Sequence, residues 1–176
     1  MSKMLNKLIV NILPIVPKPI VYLFAKKYIA GPKIEDAVKE TQKLESIGGT
    51  STMDVLGEFV TTKEKAIEHT EECMRVIDAI NVHNLKSYLS IKPTSLGLEV
   101  DYDLAYENIK KLITHARELG LWVRLDMENS PYTTQTLDLY RQYRSEGLDN
   151  CGIVLQAYMK RSEDDVRAVA DLKPNI

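Results

Sequence analysis

The sequence is short of the residues that metal centres, disulfide frameworks and phosphate loops require. It holds two cysteines and three histidines in 176 residues. Cys73 and Cys151 lie far apart with no metal-type spacing, and His69, His83 and His115 are scattered, whereas a structural zinc site gathers four ligands. The simplest reading is a reduced, cytoplasmic protein with two incidental thiols, and histidines that serve the helices they lie on or beside. Glycine is scarce, at eight residues, and no Gly-rich turn follows the first strand, so the phosphate cradle of a doubly wound nucleotide-binding sheet is missing. Positive charge has no excess either: 23 Lys and Arg face 25 Asp and Glu, for a net charge of −2. A nucleic-acid binder concentrates basic residues on one surface, and here the lysines spread along predicted helices, so no nucleic-acid partner is expected.

Long apolar runs are also lacking. Leu8 to Leu13 follows Lys3 and Lys7 in a faintly signal-like way. Pro14, Pro17, Lys18 and Pro19 then break it well short of the ~20 apolar residues that a membrane span needs. A packing arm is the expectation, with an amphipathic segment resting on a membrane surface as the alternative. No Gly/Ser linker, low-complexity tract or short repeat divides the chain. Its 44% hydrophobic content suffices for one buried core.

What is present is alternation. Residues 1–49 read as a helical arm: a helix over Ile20 to Tyr28, a break at Ala30-Gly31-Pro32, and a second helix over Lys33 to Ile47. In the second, Ile34, Ala37, Val38, Thr41 and Leu44 recur at helical spacing, and Gly48-Gly49 ends it. From residue 50 strands alternate with helices. The strands are Ser51 to Val60, Lys86 to Lys92, Leu121 to Met127 and Cys151 to Tyr158. The helices run from about Thr62 to Ile80, from the N-cap candidate Asp101 to Gly120, from Thr133 or Thr134 to Gly147, and from Ser162, in a near capping-box pattern with Asp165, to about Pro174. Strand-helix alternation implies parallel strands joined by right-handed crossovers.

Parallel strands covered by helices read as continuous apolar runs, and these do until their C-terminal ends. There Asp54, Glu58, Lys92, Arg124, Asp126 and Gln156 appear. Trp122, Arg124 and Asp126 share one face of the third strand, and Ser90 and Lys92 one face of the second. Polar side chains at the C-terminal ends of several parallel strands converge on one mouth, the place where barrel enzymes keep their chemistry. The competing explanation is internal ion pairing, Lys92 with Asp126 or Glu58, which is compatible with a site as well. An open, doubly wound sheet is the other architecture the alternation allows.

In register along the chain stand Tyr28-Ile29-Ala30-Gly31, Asp54-Val55-Leu56-Gly57-Glu58, Leu89-Ser90-Ile91-Lys92, Val123-Arg124-Leu125-Asp126-Met127-Glu128 and Gly152-Ile153-Val154-Leu155-Gln156-Ala157-Tyr158. Together they resemble the first half of the bacterial monofunctional proline dehydrogenases. The resemblance implies an α/β parallel (βα)8 TIM-type barrel, here truncated to about four βα units over residues 50–176 after the arm. It implies an FAD-dependent oxidation of L-proline to 1-pyrroline-5-carboxylate, the first step of proline catabolism to glutamate, with electrons passed to quinone. By the same resemblance Asp126 matches the family's catalytic aspartate, Lys92 a substrate-binding lysine, Met127 and Gln156 positions that contact FAD, and Glu58 an acidic residue that gates the site. The family's Arg-x-x-Lys-Gly strand and the paired arginines of its last barrel helix find no counterpart before Ile176.

A (βα)8 barrel takes ~250 residues, so half a barrel is expected here, with unpaired edges that favour self-association. Its inner face, with Leu56 and Val123, is expected to lack partners. The alternative function is an inactive barrel fragment, or an interaction module that completes a barrel with a second chain. Peripheral contact with the inner face of a membrane is a further expectation.

Overall fold

The computed structural model describes residues 16–17, 20–22 and 29–176. The apolar run of residues 8–13, most of the helix expected over residues 20–28, and Tyr28 of the first motif lie outside the described residues; residues 20–22 are helical. The elements in chain order are α1 (Ile34–Ser46), β1 (Ser51–Asp54), α2 (Lys63–Val82), β2 (Ser87–Ile91), α3 (Tyr102–Glu118), β3 (Val123–Leu125), α4 (Thr133–Ser145), β4 (Cys151–Ile153) and α5 (Ser162–Val169). Short 3-10 turns occupy Pro93–Leu96, Ser130–Tyr132 and Ala170–Leu172.

The helices start and stop where local chemistry provides for their end groups. Thr62 Oγ1 accepts the Lys65 N–H at 3.3 Å to open α2, and Asp101 Oδ1 accepts the Leu104 N–H at 2.8 Å to open α3. Each satisfies one orphan donor of the first turn. At the far ends, Gly120 and Gly147 take positive φ of 69° and 78°. That conformation lets Leu121 N–H return to Ala116 O at 2.8 Å and Leu148 N–H to Tyr143 O at 3.0 Å, closing α3 and α4 with the same double-bonded cap. The capping box expected at Ser162 does not form. Ser162 Oγ donates to Gln156 O instead, and both carboxylate oxygens of Asp165 are taken by the Arg161 guanidinium at 2.9–3.0 Å. A carboxylate offered a bidentate cation next door is held more strongly by it than by a backbone N–H.

The four strands form one parallel sheet in the order β1-β2-β3-β4. Strand order that follows chain order without reversal is the arc of a (βα)8 barrel; a doubly wound sheet reverses at a switch point. Met53, Leu89, Val123 and Cys151 stand in register, as do Ile91, Leu125 and Ile153, and all are at most 6% exposed. They pack under α2, α3 and α4, whose Ile77, Ile80, Ile109, Leu112, Ile113 and Leu139 complete the core. Val123, expected on the inner face, therefore belongs to the helix side: it pairs with Leu89 and Cys151, one residue out of phase with Arg124. Leu56, also expected on the inner face, lies in the loop past β1, is 81% exposed and lines a cavity beside α1 and α2.

The strands are shorter than the apolar runs suggest. β1 ends at Asp54 because Phe59 and Val60 turn their N–H groups to Thr94 Oγ1 and Thr94 O, at 3.2 and 3.3 Å, and Phe59 adopts a φ of 53° incompatible with a strand. Beyond β4, residues 157–161 are drawn into a turn that the Ser162–Gln156 hydrogen bond closes. Two ladder bonds do carry on past the strand ends, Asp126 N–H to Ile91 O and Val154 N–H to Leu125 O, each 2.9 Å. They hold the first residues of the mouth as firmly as the sheet itself.

Candidate active site

The face of the sheet away from the helices carries the polar residues. Asp54, Ser90, Arg124 and Gly152 lie side by side across the four strands. One step further toward the C-terminal ends follow Lys92, Asp126 and Val154. Alternation in an extended chain puts them there, since each is an even number of residues from its neighbour on the same strand.

Lys92 is the centre of charge. Its Nζ donates to Asp54 Oδ2 and stands 3.8 Å from Asp126 Oδ2. Burial pulls the Lys92 ammonium down, but the hydrogen bond and charge of Asp54, joined by Asp126 and Glu58, outweigh it, so its pKa lies above the ordinary lysine value. The ammonium is thus a fixed cation at neutral pH. Asp126 is held from the other side, where Ser90 Oγ donates to its Oδ1 at 2.7 Å. Asp126 is therefore an oriented carboxylate with one oxygen tied to the sheet and the other turned toward a cation.

Glu58, Lys92, Asp126, Met127 and Gln156 all line one open cavity of about 400 Å³, with Phe59, Glu128, Asn129 and Val154. The five positions expected to form a site are brought together, although they come from loops or strand ends 98 residues apart at the extremes (156 − 58). That volume is in the ~300–1,000 Å³ range of small-molecule sites. Gln156 Nε2 donates to Met127 O at 2.8 Å, which couples the ends of β3 and β4. A slightly larger cavity, about 450 Å³, lies between α1, β1 and α2, lined by Ile34, Ala37, Leu44, Met53 and Val76 among others. Its lining mixes apolar side chains with Lys33, Glu40, Asp54 and Glu72 but lacks Lys92 and Asp126, so the smaller cavity, which holds both, is the better candidate for the chemistry.

Three contributors had no role assigned from the sequence, although Asp54 and Ser90 were placed on the polar face. Asp54, not Glu58, is the nearest partner of Lys92. The signal was available in the two-residue period, which sets Asp54 on the lumen side of β1. Ser90 orients Asp126. Glu128 accepts the Thr94 N–H and O–H at 2.9 and 2.6 Å; burial raises its carboxyl above the ordinary value while those two bonds hold it down, and Glu58 adds to the rise. His69 of α2 is buried against Gly57. Burial lowers its pKa below 6.5, with Glu72 and Asp54 opposing and Lys92 assisting. Cys73 and Cys151 are buried free thiols, and loss of solvation pushes both up to about 12, which makes them poor nucleophiles.

A parallel arc with a charged mouth at the strands' C-terminal ends defines the barrel-enzyme class. Within that class, residues 37–173 match the family described as Proline dehydrogenase. The chain belongs to the proline dehydrogenase family. It is 39% identical over 154 residues to Proline dehydrogenase 1 of Bacillus subtilis (strain 168), covering 88% of this chain and 51% of that protein. It is 36% identical over 156 residues to a Proline dehydrogenase of Deinococcus radiodurans, covering 86% and 50%. Among solved structures, proline utilization A from Bdellovibrio bacteriovorus superposes with a TM-score of 0.76 at 20% identity, over 84% of this chain and 18% of that one. That likeness concerns the fold. The chain spans about half the length of the curated relatives it matches.

Proposed function

We propose that this chain forms the first four βα units of a flavin-dependent proline dehydrogenase barrel, residues 50–176, preceded by residues 1–49 as an arm. The reaction is the oxidation of L-proline to 1-pyrroline-5-carboxylate with FAD as cofactor and a quinone as final electron acceptor. The observation that carries the reading is the convergence of Glu58, Lys92, Asp126, Met127 and Gln156 on one cavity in a member of this family.

The side chains present fit a flavin. With Nε2 of Gln156 committed to Met127 O, its amide oxygen is an acceptor for a ring N–H, and the Met127 backbone lines the same wall. A bound flavin supplies a hydride acceptor, which no side chain of a protein provides. The chain's own residues do the rest. Lys92, a permanent cation held by Asp54, attracts the substrate carboxylate into the mouth. Asp126, fixed by Ser90, meets the positive charge that develops on the proline nitrogen as hydride leaves the neighbouring carbon. Glu58 is exposed on the loop after β1, at the rim of the cavity, where it can close over the entrance by pairing with a cation.

Among the described residues no helix is long and apolar enough to cross a membrane. A cytoplasmic protein that meets a membrane-borne quinone at the inner face agrees with the reading. So does self-association through the edge of β1, where backbone groups can pair with another strand; the edge of β4 is partly taken, since Ile153 N–H donates to Asn175 O at 3.1 Å.

Titration with FAD and assay of proline-dependent dye reduction, the latter in protein with all eight strands assembled, test the proposal. Gln156→Ala is expected to lower flavin occupancy with little change in turnover per bound flavin. Asp126→Asn is expected to keep the flavin and to lose about 10²-fold or more in turnover, the scale of one preorganised charge. Near-normal turnover in Asp126→Asn would overturn the catalytic assignment. Unchanged occupancy with reduced turnover in Gln156→Ala would reverse the role of the amide.

A further inference from the structure

The loops that follow β1, β2 and β3 meet at one residue, Thr94, which is fully buried. From the β3 side, Glu128 accepts both the Thr94 N–H (2.9 Å) and the Thr94 O–H (2.6 Å). From the β1 side, Phe59 N–H donates to Thr94 Oγ1 at 3.2 Å and Val60 N–H to Thr94 O at 3.3 Å. The hydroxyl thereby works in both senses, donating to Glu128 and accepting from Phe59. Its single hydrogen is directed by the carboxylate, which leaves the lone pairs for the Phe59 amide.

Phe59 is where that bond is needed. Its φ of 53° is a left-handed conformation that a bulky side chain rarely adopts without outside support. Its ring also leans on Tyr132, at 6.2 Å between centroids, in the turn just after Glu128. Glu58 immediately precedes Phe59, and Lys92 precedes Thr94 by two residues, with Ser95 N–H and Oγ–H both bonded to Lys92 O.

We infer that Glu128 is a positioning residue, whose grip on Thr94 sets the loops carrying Glu58 and Lys92 around the mouth of the barrel. The inference rests on reading that mouth as the flavin and substrate site. The division of labour is that Asp126 faces the reacting space, while Glu128, two residues on, ties that strand end to the two loops beside it. A carboxylate does this better than an amide because it accepts both Thr94 hydrogens at once, with charge-assisted bonds.

The test uses the 176-residue chain and the variants Glu128→Ala, Glu128→Gln and Thr94→Val. Amide hydrogen exchange is followed at Phe59, Val60 and Thr94, with Asp126 and Val154 as reference amides. The reactivity of Lys92 toward acetic anhydride is followed as a function of pH by mass spectrometry. In Glu128→Ala, exchange at Phe59 and Thr94 is expected to rise about tenfold, the loss of roughly one net hydrogen bond, with the reference amides unchanged. In Thr94→Val, which keeps the Glu128 charge, the Lys92 acetylation profile is expected to move to lower pH as its carboxylate contacts loosen, a shift that loss of global stability alone does not produce below the unfolding transition.

Glu128→Gln, which keeps an acceptor for the Thr94 N–H, is expected to free Phe59 but not Thr94. Thr94→Val is expected to reproduce the Phe59 effect, and the double variant Glu128→Ala/Thr94→Val to add nothing further at Phe59. Should Glu128→Ala fail to fold, Glu128→Gln and Thr94→Val decide the question through the same amides. Exchange at Phe59 and Lys92 reactivity equal to those of the parent, in a folded variant, would overturn the inference. FAD titration of the parent chain is run alongside. Absence of binding there would count against the flavin reading and leave the exchange result to judge the clamp by itself.

Discussion

On one face of the sheet stand Met53, Leu89, Ile91, Val123, Leu125, Cys151 and Ile153; on the other, displaced by a single residue in each strand, stand Asp54, Ser90, Lys92, Arg124, Asp126 and Gly152. The first set is sealed under helices and at most 6% exposed. In the second, Ser90 bonds Asp126, Lys92 pairs with Asp54, and Lys92 and Asp126 open to a cavity. The same backbone serves stability on one side and chemistry on the other because the side-chain period of a strand is two. The covered face gains from burial at ~25 cal/mol per Å² of apolar surface and tolerates little change. The open face contributes less to folding, since its charges are partly solvated and exposed ion pairs are worth ~0–1 kcal/mol. Arg124 illustrates the second regime: its guanidinium stacks over Tyr88 at 5.4 Å and bonds Asn175 Oδ1 at 2.6 Å, contacts among polar groups that a packed hydrocarbon core does not contain.

The comparison is broken most directly at its centre. Leu125 is fully buried, and Leu125→Ala is expected to cost about 2–5 kcal/mol in urea-induced unfolding, by lost transfer energy and a residual cavity. Asp126→Asn, the next residue and the opposite face, is expected to leave the urea midpoint close to that of the parent. Equal losses in the two variants would erase the distinction between the faces.

A smaller effect is expected where the two regimes meet, at the loop after β1. A Cβ placed on Gly57 would stand 2.8 Å from His69 Cε1. Gly57→Ala is therefore expected to lower stability by about 1–3 kcal/mol through overpacking, read as a fall in thermal midpoint. His69→Ala made in the same background should recover part of the loss by removing the obstructing ring. No recovery would place the clash elsewhere.

The smallest effect concerns protons. Burial holds the folded-state pKa of His69 below its ordinary 6.5, so between those two values the unfolded chain binds more protons than the folded one. The contribution of His69 to stability is then complete above 6.5 and lost as pH falls from there through the folded value. Urea midpoints at pH 7.5 and 5.5 are expected to fall further apart in the parent than in His69→Gln. An identical spread would show that His69 stays protonated alike in both states.

Much of this protein could be read from local patterns. Asp101 and Thr62 as helix starts, Gly120 and Gly147 as helix ends, and the buried stripe Ala105, Ile109, Leu112, Ile113 and Ala116 each follow from a few adjacent residues. The stretch 151–158 misled for the same reason: a run of apolar residues states that a segment can be a strand, while the hydrogen bond from Ser162 to Gln156 that turns it is invisible in that run. The convergence of Glu58, Lys92, Asp126 and Gln156 was legible as well, because parallel strands that share a face deliver their ends to one place; Met127, one residue out of phase with Asp126 and buried, was expected there only from the family resemblance.

What only the tertiary structure decided is which neighbour each group takes. Lys92 had Asp54, Glu58 and Asp126 within plausible reach, and the β1–β2 register, which sets Asp54 beside Ser90, gave it Asp54. Val123 joined the helix side through its pairing with Leu89 and Cys151. Glu128 had no role in the sequence pattern; it took one when the loop after β2 brought Thr94 against it. Periodicity along a chain determines the face a residue occupies, because the backbone repeats every two or 3.6 residues. Its partner depends on register and loop path between segments more than 30 residues apart, a separation over which no sequence periodicity reaches.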